Sequence, residues 1–105
     1  VDCGMAINPL GIENQIEGAV NFVIGYTKYS EITLTNGAVD QNNFYDYEVN
    51  RLKDAPYSIK VEIINSGEKI GGIGEVGVPP MFAAIINAIA DATGKRYTKF
   101  PIKLG

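Results

Sequence analysis

Residues 71–80 read Gly71-Gly72-Ile73-Gly74-Glu75-Val76-Gly77-Val78-Pro79-Pro80, a glycine-rich stretch that ends in two prolines. Glycines at this density predict a loop. Proline suits the first turn of a helix, because its fixed φ is helical and its missing N–H has no partner there. The stretch therefore divides this part of the chain into a loop, from about 65 to 80, and a helix that follows it.

The helix after this loop is predicted from about Pro80 to Thr93. Its apolar residues recur at helical spacing, and its alanines permit close packing. Gly94 is suited to the C-cap, and two basic residues follow it near the negative end of the helix dipole. The face predicted to pack on the rest of the domain consists of Phe82, Ile85, Ile86 and Ile89.

Two segments before the loop alternate polar and apolar residues, as half-exposed strands do. The segment 31–41 contains Asn36-Gly37, the strongest two-residue signal for a β-hairpin. The segment 57–64 is predicted to be a further strand. Its apolar face comprises Tyr57, Ile59, Val61 and Ile63.

Another helix is predicted from about Ile12 to Tyr26, after a short buried strand at 1–7 and a turn at 8–11. Gly18 interrupts it, although a glycine inside a helix costs about 1 kcal/mol relative to alanine. We therefore expect another backbone or a ligand to pass close to Gly18. The buried face of this helix is predicted to be Ile12, Ile16, Ala19, Val20 and Val23.

The order strand, helix, hairpin, strand, helix predicts an α+β fold. We expect a single two-layer domain with an antiparallel sheet and two main helices, at about 12–26 and 80–93. The 105 residues suffice for one modest hydrophobic core. The tail Phe100-Pro101-Ile102 is expected to pack back onto the domain.

Composition excludes several classes of function. A net charge of -3 with 9 Lys and Arg provides no basic stripe for nucleic acid, and no apolar run is long enough to predict a membrane span. The absence of histidine excludes Ser-His-Asp and Cys-His catalysis within the chain. Cys3 cannot form an internal disulfide because it is the single cysteine, and its apolar surroundings predict a small buried residue.

The loop contains a formal G-x-G-x-x-G match at 72–77, but we reject a dinucleotide-binding interpretation. In a Rossmann unit the glycines lead directly from a strand into a helix, and an acidic residue ends the next strand about twenty residues later. Here several residues separate the predicted strand from Gly72, and no acidic residue follows Asp91.

Glu75 is the unusual residue of this loop, because its glycine neighbours allow a ligand to approach the carboxylate. That placement favours a functional carboxylate. Two structural alternatives remain open from the residues alone: Glu75 could cap the following helix, or it could be solvated in a flexible loop.

The chain resembles the xanthine dehydrogenase and aldehyde oxidase superfamily of molybdenum hydroxylases. The resemblance is strongest to the isoquinoline 1-oxidoreductase beta-subunit type, and its motifs run in order over nearly the whole chain. The residues that carry it are Asp2-Cys3-Gly4, Asn8-Pro9, Gln15-Ile16-Glu17-Gly18-Ala19, Glu31-Ile32-Thr33, Asn36-Gly37, Asn43-Phe44 with Tyr47, Gly71-Gly72-Ile73-Gly74-Glu75 with Pro79-Pro80, Asn87-Ala88-Ile89 and Thr93-Gly94-Lys95-Arg96.

This resemblance implies that Glu75 is the catalytic base. In the family, the matching glutamate lies beside the molybdenum of a molybdopterin cofactor and takes the proton from a metal-bound hydroxyl. That hydroxyl attacks an electrophilic carbon while hydride passes to a sulfido ligand. A general base must be ionised and within hydrogen-bond reach, which suits a carboxylate among glycines.

The resemblance also implies cofactor contacts, although no residue of this chain is predicted to ligate the metal. Gln15 matches the glutamine that lies against the pterin. Gly72 and Gly74 are expected to shape the loop and to contact the cofactor through their N–H groups. Phe44 and Tyr47 are expected to pack in the core or between domains.

The family's large subunit is several times longer than this chain, and the first residue is Val1, so residues 1–105 are expected to be the C-terminal fragment of a molybdopterin-binding domain. The resemblance implies as partners the remaining domains and an iron–sulfur subunit with its own cysteines; the single cysteine of this chain cannot hold such a cluster. The expected substrates are N-heterocycles or aldehydes. Alone, the chain is predicted to be inactive, to retain no molybdopterin and to self-associate. The alternative is a stand-alone, non-catalytic binding module on the same scaffold.

Overall fold

A computed structural model describes residues 1–103 of the chain. Its regular elements, in chain order, are helix α1, a two-stranded hairpin, a single turn of 3-10 helix and helix α2. They span Pro9–Lys28 (α1), Leu34–Thr35 (β1), Ala38–Val39 (β2), Leu52–Asp54 (3-10) and Val78–Thr93 (α2). Two helices with one antiparallel pair of strands confirm the predicted α+β class.

Helix α1 begins three residues earlier than predicted because the preceding turn also caps it. The side chain of Asn8 accepts a hydrogen bond from the N–H of Gly11, and Pro9 occupies the first turn. The predicted buried face is confirmed, although Ile16 is only half-buried. The buried residues of α1 are Ile12, Ala19, Val20, Val23, Gly25 and Thr27.

The predicted hairpin is confirmed. Asn36 and Gly37 have φ values of 52° and 81°, as the two central residues of a type I′ turn require. Leu34 then pairs with Val39, and Thr35 with Ala38. All four paired residues are exposed, so the hairpin adds little to the core.

The two other predicted strands are largely wrong. Segments 1–7 and 57–64 meet in one parallel bridge, between Asp2 and Ile64, rather than in a sheet. Burial in the second segment does alternate, with Ile59, Val61 and Ile63 half-buried, but Tyr57 is fully exposed. Alternation predicts which side chains face inwards, whereas a strand also needs a neighbour with which to form hydrogen bonds.

Helix α2 has the predicted ends. Prolines occupy its first turn, and Gly94 ends it in a left-handed conformation with φ 68°, its N–H bonded to the carbonyl of Ala90. The helix packs against α1, yet none of its residues is fully buried. Its predicted apolar face, Phe82, Ile85, Ile86 and Ile89, is half-buried.

The tail closes one end of the two-helix layer, as predicted. Ile102 is buried and donates its N–H to the carbonyl of Thr27 at 2.7 Å. The ring of Phe100 lies edge-on to Tyr26 and Phe82, and these two rings are edge-on to each other. Over residues 1–103, neither helix combines the length and hydropathy that a membrane crossing requires.

Two expectations about packing are corrected in part, since contact with a ligand or another domain is untested, and one is confirmed. A Cβ at Gly18 would meet nothing within 4 Å, so no other backbone passes close to it; the close approach on α1 occurs at Gly25, against Asn50. Phe44 is exposed, so it does not pack in the core of this chain, and packing between domains stays a prediction. Cys3 is buried, as predicted.

Candidate functional site

The glycine-rich loop is held against the first residues of the chain at its upstream end. The carboxylate of Asp2 accepts hydrogen bonds from the N–H of Gly4 and the hydroxyl of Ser66, each at 2.9 Å. These bonds lower the pKa of Asp2, the Gly4 bond more than the Ser66 bond. The N–H of Gly71 then donates to the carbonyl of Cys3 at 2.9 Å.

Gly4 makes this close approach of two backbones feasible. Its φ is +73°, and a Cβ there would collide with the backbone carbonyls of Glu68 and Lys69. Both its conformation and its surroundings therefore require glycine. The start of the loop is thus fixed in place by backbone contacts.

The middle of the loop is joined to helix α1. The side-chain amide of Gln15 donates a hydrogen bond to the carbonyl of Gly74 at 3.1 Å, across 59 residues of sequence. Gln15 projects from the second turn of α1, and Gly74 directly precedes Glu75. The structure therefore brings together three of the residues proposed from the sequence.

Glu75 is exposed, and its side chain forms no hydrogen bond or ion pair within residues 1–103. Its backbone carbonyl accepts the N–H of Val78, in the turn that leads into α2. The interpretation of Glu75 as a helix cap is wrong, because the N-cap position is Gly77 and no side chain caps this end. The carboxylate is left free at the surface, next to the Gln15–Gly74 contact.

Gly72 and Gly74 are not required by local packing. A Cβ at Gly72 would meet nothing within 4 Å, and at Gly74 it would only touch the Gln15 amide, at 4.0 Å. Neither residue has a positive φ. Both positions are exposed, so their backbones are accessible to a ligand.

An apolar groove of about 380 Å³ lies beside Gln15, between the start of α1, the first strand-like segment and the loop. The amide side chains that border it are those of Gln15 and Asn8. The apolar side chains that line it are Cys3, Met5, Ile7, Ile12, Ile70 and Ile73. Such a mixture of apolar walls and a few amides is typical of small-molecule sites.

No metal centre is formed by residues 1–103, in which no three carboxylates or thiols are close enough to hold an ion. The donors of the site are amides and one free carboxylate. These groups can accept and donate hydrogen bonds to a heterocycle, but they do not form a ligand set.

Tyr47 and Phe44 take no part in this arrangement. The Tyr47 hydroxyl donates to the Ser30 hydroxyl at 3.2 Å. Tyr47 also borders a second groove further along α1, beside Gly18, Phe22 and Gly25. Sequence reasoning missed one residue of the site, Gly77, which is buried against α1. The only signal was its place as the last glycine before a helix.

Comparison with known proteins finds a matching family model and several similar proteins. A family model described as a molybdopterin cofactor-binding domain matches residues 1–56. The chain is 33% identical to the xanthine dehydrogenase molybdenum-binding subunit of Escherichia coli O157:H7, over 96% of this chain and 14% of that protein. It is 27% identical to isoquinoline 1-oxidoreductase subunit beta of Brevundimonas diminuta, over 98% of this chain and 13% of that protein.

A solved structure is similar to this chain over nearly its whole length. The crystal structure of quinoline 2-oxidoreductase from Pseudomonas putida 86 matches with a TM-score of 0.82 and 27% identity, over 96% of this chain and 14% of that chain. The chain therefore spans 13 to 14% of the length of these relatives. Gln15 lies inside the stretch matched by the family model, and Glu75 lies outside it.

Proposed function

The chain belongs to the molybdopterin cofactor-binding domain family of the molybdenum hydroxylases, and from this premise we propose that it contributes the base Glu75 to an oxidoreductase site. In this proposal, residues 1–105 are the C-terminal part of the enzyme's molybdopterin-binding domain. Three relatives are named for xanthine, isoquinoline and quinoline, which supports an N-heterocycle as substrate. Aldehydes are the second substrate class, supported by a plant relative named aldehyde oxidase 4.

The overall reaction adds an oxygen atom from water to an electron-poor carbon and removes two electrons and two protons. When bound, the cofactor supplies the centre that accepts the two electrons. The protein must supply a group that takes a proton. Glu75 is suited to this role because its carboxylate is exposed, makes no competing contact within residues 1–103, and follows glycines that leave room for a substrate.

One observation carries the proposal: the Gln15 side chain is bonded to the carbonyl of Gly74, the residue before Glu75. This hydrogen bond brings two motifs that are remote in sequence together on one surface. The amide oxygen of Gln15 makes no hydrogen bond to residues 1–103 and is available to a pterin ring. Gly72 and Gly74 offer exposed backbone to the same ligand.

In this proposal, these residues form only one side of the cofactor-binding site. One carboxylate, one amide and two glycines are too few contacts to hold a cofactor. We therefore propose that other domains of the parent protein complete the shell, and that an iron–sulfur subunit takes the electrons away. The chain alone is proposed to be inactive.

The test of this function uses the complete parent protein. It is purified from cells grown with molybdate, its molybdenum and pterin are quantified, and dye reduction is measured with a panel of N-heterocycles and aldehydes. The proposal predicts turnover of at least one panel member in proportion to molybdenum content. A matched preparation from tungstate-grown cells should be inactive. Molybdenum-replete protein that binds panel members but oxidises none would support the non-catalytic binding module instead.

A further inference from the structure

Gly77 is the one glycine of the loop that is buried. It stands directly before α2, with φ -74° and ψ -20°, a conformation that any residue adopts. A Cβ at this position would lie 3.0 Å from the Cβ of Ala19 and 3.1 Å from Cδ1 of Ile16. Glycine is therefore required here by the space available and not by the backbone conformation.

Of these two neighbours, Ala19 sets the limit. Cδ1 of Ile16 is the end of a side chain that can rotate away, whereas the Cβ of Ala19 is fixed to the backbone of α1. Carbon atoms in good contact are about 3.5–4.0 Å apart. A methyl group at Gly77 would therefore require the start of α2 and α1 to move apart by a few tenths of an ångström.

Such a displacement would reach Glu75, because only Val76 separates the two residues. On its other side, Glu75 follows Gly74, whose carbonyl oxygen accepts a hydrogen bond from the Gln15 side-chain nitrogen at 3.1 Å. The backbone between these two points is also tied into the first turn of α2 by the bond from Val78 to the Glu75 carbonyl. The backbone of Glu75 is thus held by two contacts with the same helix, one on each side.

We propose that the fit of Gly77 against Ala19 positions Glu75, so that the size of these two residues, and not only the presence of the carboxylate, determines the rate of the reaction. The inference rests on the proposed function of Glu75. Catalytic groups must be held to within about 0.5 Å. A misplacement of about 1 Å can cost about 100-fold in rate. A displacement of a few tenths of an ångström approaches the first of these limits, so we expect it to lower the rate by less than the second.

The test compares variants of the complete, molybdenum-loaded protein. Gly77→Ala is expected to lower kcat by about 10-fold while KM and molybdenum content stay unchanged. Hydrogen exchange of the amides from 71 to 77 should become faster, which is a readout independent of turnover. The double variant Gly77→Ala/Ala19→Gly moves the methyl group from one side of the contact to the other. It should restore slow exchange and most of the lost kcat.

Asn14→Gln is the control, since it adds a methylene group at an exposed position of α1 that belongs to none of the motifs of the site. It should change neither the loop exchange nor kcat. If Gly77→Ala alone does not fold, the double variant is decisive: an active double variant with slow exchange supports the proposal, and an impaired one overturns it. Unchanged kcat in folded Gly77→Ala also overturns it.

Failure of this inference can be distinguished from failure of the proposed function. If Glu75→Gln loses turnover but Gly77→Ala does not, Glu75 is the base and Gly77 is not a positioning residue. If Glu75→Gln retains turnover, the proposed function fails, and a change in kcat for Gly77→Ala would then reflect some other part of the site.

Discussion

At the scale of single residues, the donor of the bond between Gln15 and Gly74 can be removed with little change in shape. Gln15→Glu replaces the amide N–H with a carboxylate oxygen that repels the Gly74 carbonyl. A hydrogen bond of this kind contributes about 0.5–1.5 kcal/mol. We therefore expect the complete protein to bind molybdopterin about 2- to 10-fold more weakly, measured as pterin and molybdenum per protein.

Asn14→Asp is the matched control for Gln15→Glu. It makes the same chemical change at the adjacent, exposed position of α1. It should leave pterin content unchanged. Equal losses in both variants would show that added negative charge on α1, and not the contact with Gly74, causes the effect.

Asp54 predicts a pH dependence of stability. Its side chain is 7% exposed and accepts bonds from Lys28 at 2.6 Å and from the Tyr29 hydroxyl at 2.7 Å. These contacts, the Lys28 bond foremost, lower the pKa of Asp54 from 3.8 to about 2. Because the folded-state pKa is the lower one, the stabilisation is complete above pH 3.8 and is lost as the pH falls towards 2.

We therefore expect Asp54→Asn to lower the Tm of the protein above pH 4, with a difference from the unchanged protein that shrinks as the pH falls to about 2. Thermal unfolding at several pH values measures this directly. Glu62→Gln is the control, because the ion pair of Glu62 with Lys60 is almost fully exposed on both sides. A Tm difference for Asp54→Asn that is the same at all pH values would contradict the assignment.

At the scale of helices, the same substitution should have opposite effects at two glycines. Gly94→Ala places a Cβ in a left-handed conformation, φ 68°, and should destabilise the protein by about 1–2 kcal/mol. Gly18→Ala lies inside α1 in open space and should stabilise it by about 0.5–1 kcal/mol. Denaturant unfolding of the two variants measures both. Effects of the same sign would contradict either the left-handed conformation described for Gly94 or the open surroundings described for Gly18.

Elements defined by local chemistry were predictable from the sequence. The hairpin depends on Asn36-Gly37, and the ends of α2 depend on its prolines and Gly94; all of these act within a few residues. The structure of segments 1–7 and 57–64 was not predictable in this way. A strand is defined by the neighbour with which it forms hydrogen bonds, and these two segments share a single bridge, between Asp2 and Ile64.

The same distinction applies to the candidate site. Glu75 and Gln15 could be named because they occur in recognisable motifs, but their proximity is a tertiary fact, seen in the bond to Gly74. Gly77 could not be distinguished from its neighbouring glycines, because its role depends on Ala19 on another helix. Gly18 looked like a site of close approach of another backbone, yet that contact is made about two helical turns further along α1, at Gly25.

At the scale of the whole molecule, the surface is too large for a compact protein of this mass. The accessible surface is 7749 Å² and the radius of gyration is 16.6 Å. A compact monomer of 11.3 kDa would have roughly 5,700 Å² and about 13 Å. Large apolar side chains account for part of the excess, among them Leu10, Phe22, Leu52 and Ile70.

This surface predicts how the 105-residue chain behaves alone. Exposed apolar area of this kind favours association, so we expect oligomers in sedimentation experiments at micromolar concentration. We also expect neither bound molybdenum nor turnover, because the chain supplies only one wall of the site. Metal analysis and dye-reduction assays check this, and a tightly bound molybdenum cofactor in the purified chain would refute it.

The central claim is that Glu75 takes a proton during the reaction, and the most direct measurement is the rate at which substrate reduces the bound cofactor in Glu75→Gln. Rapid mixing of the complete protein with an N-heterocycle gives this rate, and metal analysis confirms equal molybdenum. Glu68→Gln is the control, an exposed carboxylate of the same loop. Loss of a general base predicts a rate lower by about 10²- to 10⁴-fold in Glu75→Gln alone. Equal rates in both variants would contradict the account and return Glu75 to the role of a solvated loop residue.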